Sequence, residues 1–230
     1  NEVNRALVFA VNTYPGDIPL VNALLSYADT DDGTALLEAI KKENQDVVEL
    51  MLVKKKFTPE ILNNGFMQAT RGKNRRTRSI SCRSLLTAGA SGDVVSDALL
   101  AAATDGDLEL GAILVQNGVD VDHKGGQAVV EACKAGAIDV LGMLLCENSK
   151  VTQTTLQRGF QAATELSDLH KRAEVFRLLL HQGVSGEVVD AELVSAGRYG
   201  ASGTELVRLL LAHGASPDYN QGVVVATATK

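Results

Sequence analysis

The chain has 230 residues, 45% hydrophobic and 22% charged, with a net charge of −6, four tyrosines, five phenylalanines and no tryptophan. That is an ordinary globular balance, and no apolar run approaches the roughly 18 residues that a membrane span needs. The three cysteines, Cys82, Cys133 and Cys146, are an odd number without pairing logic, which argues against a disulfide framework and for reduced, core-filling thiols. An intracellular setting is expected, cytoplasmic or nuclear.

Along the chain, a short apolar run recurs and is followed three residues later by a small or turn-forming anchor. The runs end at Leu25, Leu52, Leu86, Val115, Leu145, Leu180 and Leu211. The anchors are Ala28, Lys55, Gly89, Gly118, Asn148, Gly183 and Gly214, spaced 27, 34, 29, 30, 35 and 31 residues apart. Glycine and asparagine tolerate the left-handed cap that ends a helix. Each unit reads as two short helices. In the fifth, Val129, Ala132, Cys133 and Gly136 form one apolar stripe at helical spacing, and Ile138, Leu141, Met143, Leu144 and Leu145 form a second. Gly136 and Ala137 break the chain between them. Such helices are too short to stand alone in water. No strand pattern persists. The expected repeats cover about 1–32, 33–56, 57–90, 91–123, 124–150, 151–186 and 187–221, as a single domain. Residues 222–230 read as the opening of a further repeat, so the polypeptide is expected to continue past Lys230.

A longer duplication overlies this period. Shifted by 94 residues, positions 58–99 show 16 identities in 42. Gly65, Phe66, Ala69 and Thr70 meet Gly159, Phe160, Ala163 and Thr164, and Arg78 meets Arg172. Self-similarity at a fixed period is the mark of a repeat architecture. A three-repeat block was duplicated: the second expected repeat, 33–56, echoes the fifth, 124–150, and the fourth ends like the seventh.

Residues 126–145, 101–122 and 203–218 resemble the helix-turn-helix of ankyrin repeats, and Gly33–Ile40 resembles that family's helix opening. The resemblance covers about 200 residues in seven units. It implies an all-α solenoid of stacked helix pairs that binds a protein partner on its concave face. The Thr-Pro-Leu-His tetrad of the family is absent, and connections such as Ala90–Asp93 are too short for a full hairpin. Short or absent β-hairpin fingers are therefore expected.

Charge is distributed unevenly. Residues 54–83 hold nine basic residues and one acid, Glu60. The basic set is Lys54, Lys55, Lys56, Arg71, Lys73, Arg75, Arg76 and Arg78, followed by Arg83. In the duplicate, the 71–78 inter-helix loop is replaced by Glu165–Arg172, so packing alone does not demand the positive charge. Three uses of the loop stay open: a solvated surface, a dock for an acidic protein segment or nucleic-acid backbone, and a phosphorylation site at Ser79 behind Arg75, Arg76 and Arg78. Nucleic acid is disfavoured by the acidic remainder of the chain and by the absence of a stacking aromatic stripe.

No catalytic constellation, cofactor motif or metal spacing is found among the four histidines and three cysteines. His181 and His213 are expected to bond locally. Polar residues opposite the core stripe of each first helix form the expected partner ladder: Glu38, Lys41, Lys42, Thr104, Asp105, Glu131, Lys134, Arg198 and Tyr199. Arg198 and Tyr199 are the residue types enriched as interface anchors. The expected function is a monomeric, non-catalytic interaction scaffold with a basic accessory site. The alternatives are a regulatory segment packing in cis on a larger enzyme or signalling protein, a nucleic-acid module using 54–83, and an enzyme.

Overall fold

A computed structural model describes residues 2–29, 33–146 and 149–219. The described residues form helices and turns, with no strand among them. The helices come in pairs: α1 (Glu2–Thr13) with α2 (Ile18–Tyr27), α3 (Thr34–Lys41) with α4 (Gln45–Lys54), α5 (Pro59–Ala69) with α6 (Arg75–Ala88), and α7 (Asp93–Asp105) with α8 (Leu108–Gln116). Then follow α9 (His123–Ala135) with α10 (Ile138–Leu144), α11 (Gln153–Ala163) with α12 (Leu169–His181), and α13 (Glu187–Gly197) with α14 (Thr204–Ala212), the last two joined through a short 3-10 turn at Gly200–Gly203. Among the described residues this is an all-α array of helix pairs without β-hairpin fingers. Residues 222–230 lie outside the described residues. None of the described helices is long and apolar enough to cross a membrane.

Local sequence starts and stops these helices. The side chains of Asp17, Asn44, Thr58, Asn74, Asp107, Thr152 and Asp168 accept backbone N–H groups of the first turns that follow them. The expected anchors Gly89, Gly118, Gly183 and Gly214 take left-handed φ values of 116°, 74°, 85° and 87°. Ala28 and Lys55 end their helices in extended backbone instead; Asn148 lies outside the described residues.

Contacts divide the chain into two compact units, Asn1–Leu99 and Leu100–Lys230. In the first unit the first helices stack in one row, α1 on α3 and α3 on α5, and the second helices in another, α2 on α4 and α4 on α6. Leu36, Val47, Val48, Met51, Phe66 and Leu85 are sealed between the rows. In the second unit α9, α11 and α13 form one row and α8, α10, α12 and α14 the other. Val129, Leu141, Leu144, Phe160, Phe176, Leu179 and Leu193 fill it. Phe160 stacks on Phe176 with centroids 4.0 Å apart and planes 13° from parallel.

The duplicated tetrad has a packing cause. A Cβ on Gly65 would stand 2.9 Å from Ile40 Cδ1, and one on Gly159 would stand 3.0 Å from Cys133 Sγ. Neighbouring first helices come close enough there that a Cβ would make the end of the Ile40 or Cys133 side chain shift, which favours glycine. Phe66 and Phe160 are completely buried. Thr70 and Thr164 donate their hydroxyls back to Met67 O at 2.8 Å and Gln161 O at 2.7 Å, closing their helices.

Leu144 and Leu179 have no exposure. Leu144→Asp and Leu179→Asp should each destabilise the second unit by about 4 kcal/mol or more, since each buries an unpaired charge. An unchanged urea midpoint would show that these side chains are not core. Burial also pushes the Cys133 thiol up to about 12. Because the thiolate is the reactive form, Cys133 should resist iodoacetamide at pH 8 until the unit unfolds. Mass spectrometry of the native and denatured protein reads this directly, and rapid native labelling of Cys133 would contradict it.

Candidate functional site

The basic residues collect around two connections of the first unit. The α3–α4 turn contains Lys42 and Glu43, and the α5–α6 connection runs from Thr70 to Asn74. Packing of α3 on α5 sets these segments side by side. Between them lies a cleft of about 520 Å³ lined by Ile40, Lys41, Glu43, Gln68, Arg71, Gly72 and Lys73. The Glu43 carboxylate crosses to the facing loop: Oε1 accepts the Lys73 N–H at 2.8 Å and the Asn74 N–H at 3.4 Å. Lys41, Lys42, Arg71, Lys73, Arg75 and Arg76 are all exposed. Lys41, expected in the partner ladder, thus shares one cleft with Arg71 and Lys73 of the basic loop.

Other members of the basic set are placed differently. The 71–78 segment is not wholly a loop, because Arg75–Arg78 form the first turn of α6 behind the Asn74 cap. Arg78 is half-buried and donates Nη1 to Gly72 O at 3.5 Å. Lys55 is half-buried and donates Nζ to Ala28 O at 2.9 Å, tying one repeat to the next. Lys54 and Lys56 are exposed. Ser79 lies on the inward face of α6 with 2% exposure.

The remaining ladder residues are also resolved. Glu38 is half-buried and pairs with Lys41 at 3.6 Å. Thr104 donates its hydroxyl to Leu100 O. Asp105, Glu131, Lys134 and Arg198 are exposed in the second unit. Tyr199 is 41% exposed, but its phenol is engaged within the chain. His213 bonds the Leu209 carbonyl through Nδ1 at 2.9 Å, a local contact as expected.

Tyr199 leads to a buried group that the residue pattern alone did not single out. Arg172 and Glu192 are each 4% exposed. Arg172 Nη1 reaches Glu192 Oε1 at 3.0 Å and the Tyr199 hydroxyl at 3.2 Å. Its Nε donates to Leu166 O at 2.9 Å, and its guanidinium carbon stands 5.5 Å from the Tyr199 ring centre. Burial pushes the Glu192 carboxyl above its ordinary range, against the opposing charge and hydrogen bond of Arg172. The sequence did hold a signal: Arg172 matches Arg78 across the 94-residue shift, within a connection that otherwise changes completely. Both arginines hold the carbonyl of the equivalent loop residue, Leu166 or Gly72.

A second cluster joins His170 and Glu174 of α12 to Glu205 of α14, with their ligating atoms within 4.8 Å of one another. His170 Nδ1 stands 3.7 Å from Glu205 Oε2. Arg177 donates to Glu174 and, at 3.3 Å, to Glu205. A guanidinium therefore already serves both carboxylates, and the trio, exposed but for the half-buried Glu174, carries no further sign of a metal.

The Arg172 group yields a test. Arg172→Met should destabilise the second unit by about 3 kcal/mol, because the buried Glu192 carboxylate loses its partner. The pH dependence has a definite sign. Without the guanidinium the folded pKa of Glu192 stays raised, so the variant is most stable below the unfolded value and weakens as pH rises through the folded one. Urea midpoints at several pH values check this. A variant as stable as the parent at neutral pH would remove the pair from any structural role.

No protein-family model matches the sequence, and no curated protein matches it. Among solved structures, a crystal structure of EF0377, an ankyrin repeat protein, aligns with a TM-score of 0.53 at 18% identity, over 76% of this chain and 96% of that one. Paired helices stacked in rows, glycine-capped second helices and this alignment agree: the chain has the ankyrin-repeat fold.

Proposed function

We propose that this chain is a non-catalytic protein-interaction scaffold, and that its first unit binds an acidic segment of a partner protein at the cleft between the α3–α4 turn and the α5–α6 connection. One observation carries this reading: two adjacent repeats bring Lys41, Arg71 and Lys73 to one cleft, while Lys42, Arg75 and Arg76 are exposed on the adjoining segments of chain. The placement works against local stability. The first turn of α6 holds arginines and no acid, although the positive end of a helix favours acids. The duplicate connection instead caps α12 with Asp168, whose carboxyl is held below its usual range first by the Lys171 N–H. Neither α6 nor α12 has an acid in its first turn; the copies differ at the cap, Asn74 against Asp168, and in Arg71, Lys73, Arg75 and Arg76 standing where the duplicate has Glu165, Ser167, Leu169 and His170.

Charge reversal is the test. Binding of a fluorescent alternating Asp-Glu octapeptide to the 230-residue chain should weaken about tenfold or more in Arg71→Glu/Lys73→Glu, mainly through electrostatic steering and contact. It should also weaken as salt is raised past the point where the Debye length falls below about 8 Å. Equal affinity of parent and variant by anisotropy would remove the cleft from partner binding.

A further inference from the structure

Glu43 is unusual for its position. It takes a left-handed φ of 54°, where the equivalent turns of the α7–α8 and α9–α10 pairs use Gly106 and Gly136 at 65° and 64°. A side chain in that region carries a backbone cost that glycine avoids. The duplicate does without this contact: Gly136 has no side chain to reach across, and Leu166 lies beside it, a methyl 3.4 Å from where a Cβ would stand. In the first unit Leu166 is replaced by Gly72, and the tie is the Glu43 carboxylate on the consecutive N–H groups of Lys73 and Asn74. The chain has placed a carboxylate, at a backbone cost, in a cleft that Lys41, Arg71 and Lys73 also line.

We propose that the Lys73–Asn74 N–H pair is the carboxylate-binding element of this surface, and that Glu43 occupies it as an internal stand-in which an aspartate or glutamate of the partner displaces. This rests on the acidic-segment reading above. Oε1 of Glu43 shows what the pair accepts, a single carboxylate oxygen at 2.8 Å from Lys73 N. Lys41, Arg71 and Lys73 line the same cleft and supply the charge that favours an incoming acid once Glu43 swings to solvent. No aromatic lines the cleft, so it offers no stacking platform for bases, and an acidic peptide fits it better than a nucleic acid.

Two variants separate this proposal from the broader reading. Glu43→Gln removes the competing charge, and Glu43→Gly removes the side chain while installing the residue that Gly106 and Gly136 show the turn accepts. Titrated with the alternating Asp-Glu octapeptide, both should bind about tenfold tighter than the parent. The Lys73 and Asn74 amide resonances should move on peptide addition in all three proteins. If both variants bind no tighter while Arg71→Glu/Lys73→Glu abolishes binding, the scaffold reading stands and Glu43 is a structural tie alone. Absence of peptide binding in every protein overturns both. Tighter binding of a single-stranded oligonucleotide than of the peptide overturns the partner class.

Discussion

Within each unit, helix pairs depend on their neighbours for burial. First helices meet most closely at Gly65 against Ile40 and at Gly159 against Cys133, where a Cβ would make the facing side chain shift. That approach brings Phe66 and Phe160 into full burial and sets adjacent connections side by side. Short helices that are marginal alone become stable through mutual packing rather than propensity. The basic cleft is a by-product of the same contact, since its two walls come from consecutive repeats.

The duplication works as a control inside one polypeptide. Both copies keep the glycine, the phenylalanine, the threonine cap and the arginine that clamps a loop carbonyl. They differ in how that arginine is completed. Arg172 is buried against Glu192 and Tyr199, whereas Arg78 remains half-buried over Gly72. The clamp explains why an arginine persists in a connection whose other residues changed from basic to acidic. It also takes Tyr199 partly out of the pool of partner anchors, because its phenol already serves the chain.

Electrostatics separates the copies more than packing does. In one copy Leu166 lies beside Gly136; in the other Glu43 ties its connection to the N–H groups of Lys73 and Asn74. A carboxylate tie among lysines and arginines creates a place where an outside carboxylate competes with an inside one. Repeat scaffolds hold their cores constant and vary their connections, and here residues 71–77 share no identity with their copy at 165–171.

Much of this was legible in the residues themselves. The apolar period, the glycine punctuation and the shift of 94 residues determined the helix pairs and their all-α stacking, because these signals act over one or two turns of chain. The concentration of basic residues at 54–83 was equally plain, being a matter of composition. Only the tertiary structure decided which of them face outward. Ser79 turned inward because residue 75 begins a helix and residue 79 falls on its buried side. Glu43 joined the basic loop, Glu205 met His170, and Glu192 met Arg172 across 20 to 35 residues of sequence. Such meetings depend on how neighbouring pairs stack, and a polar side chain's partner from another helix leaves no periodic trace in the sequence.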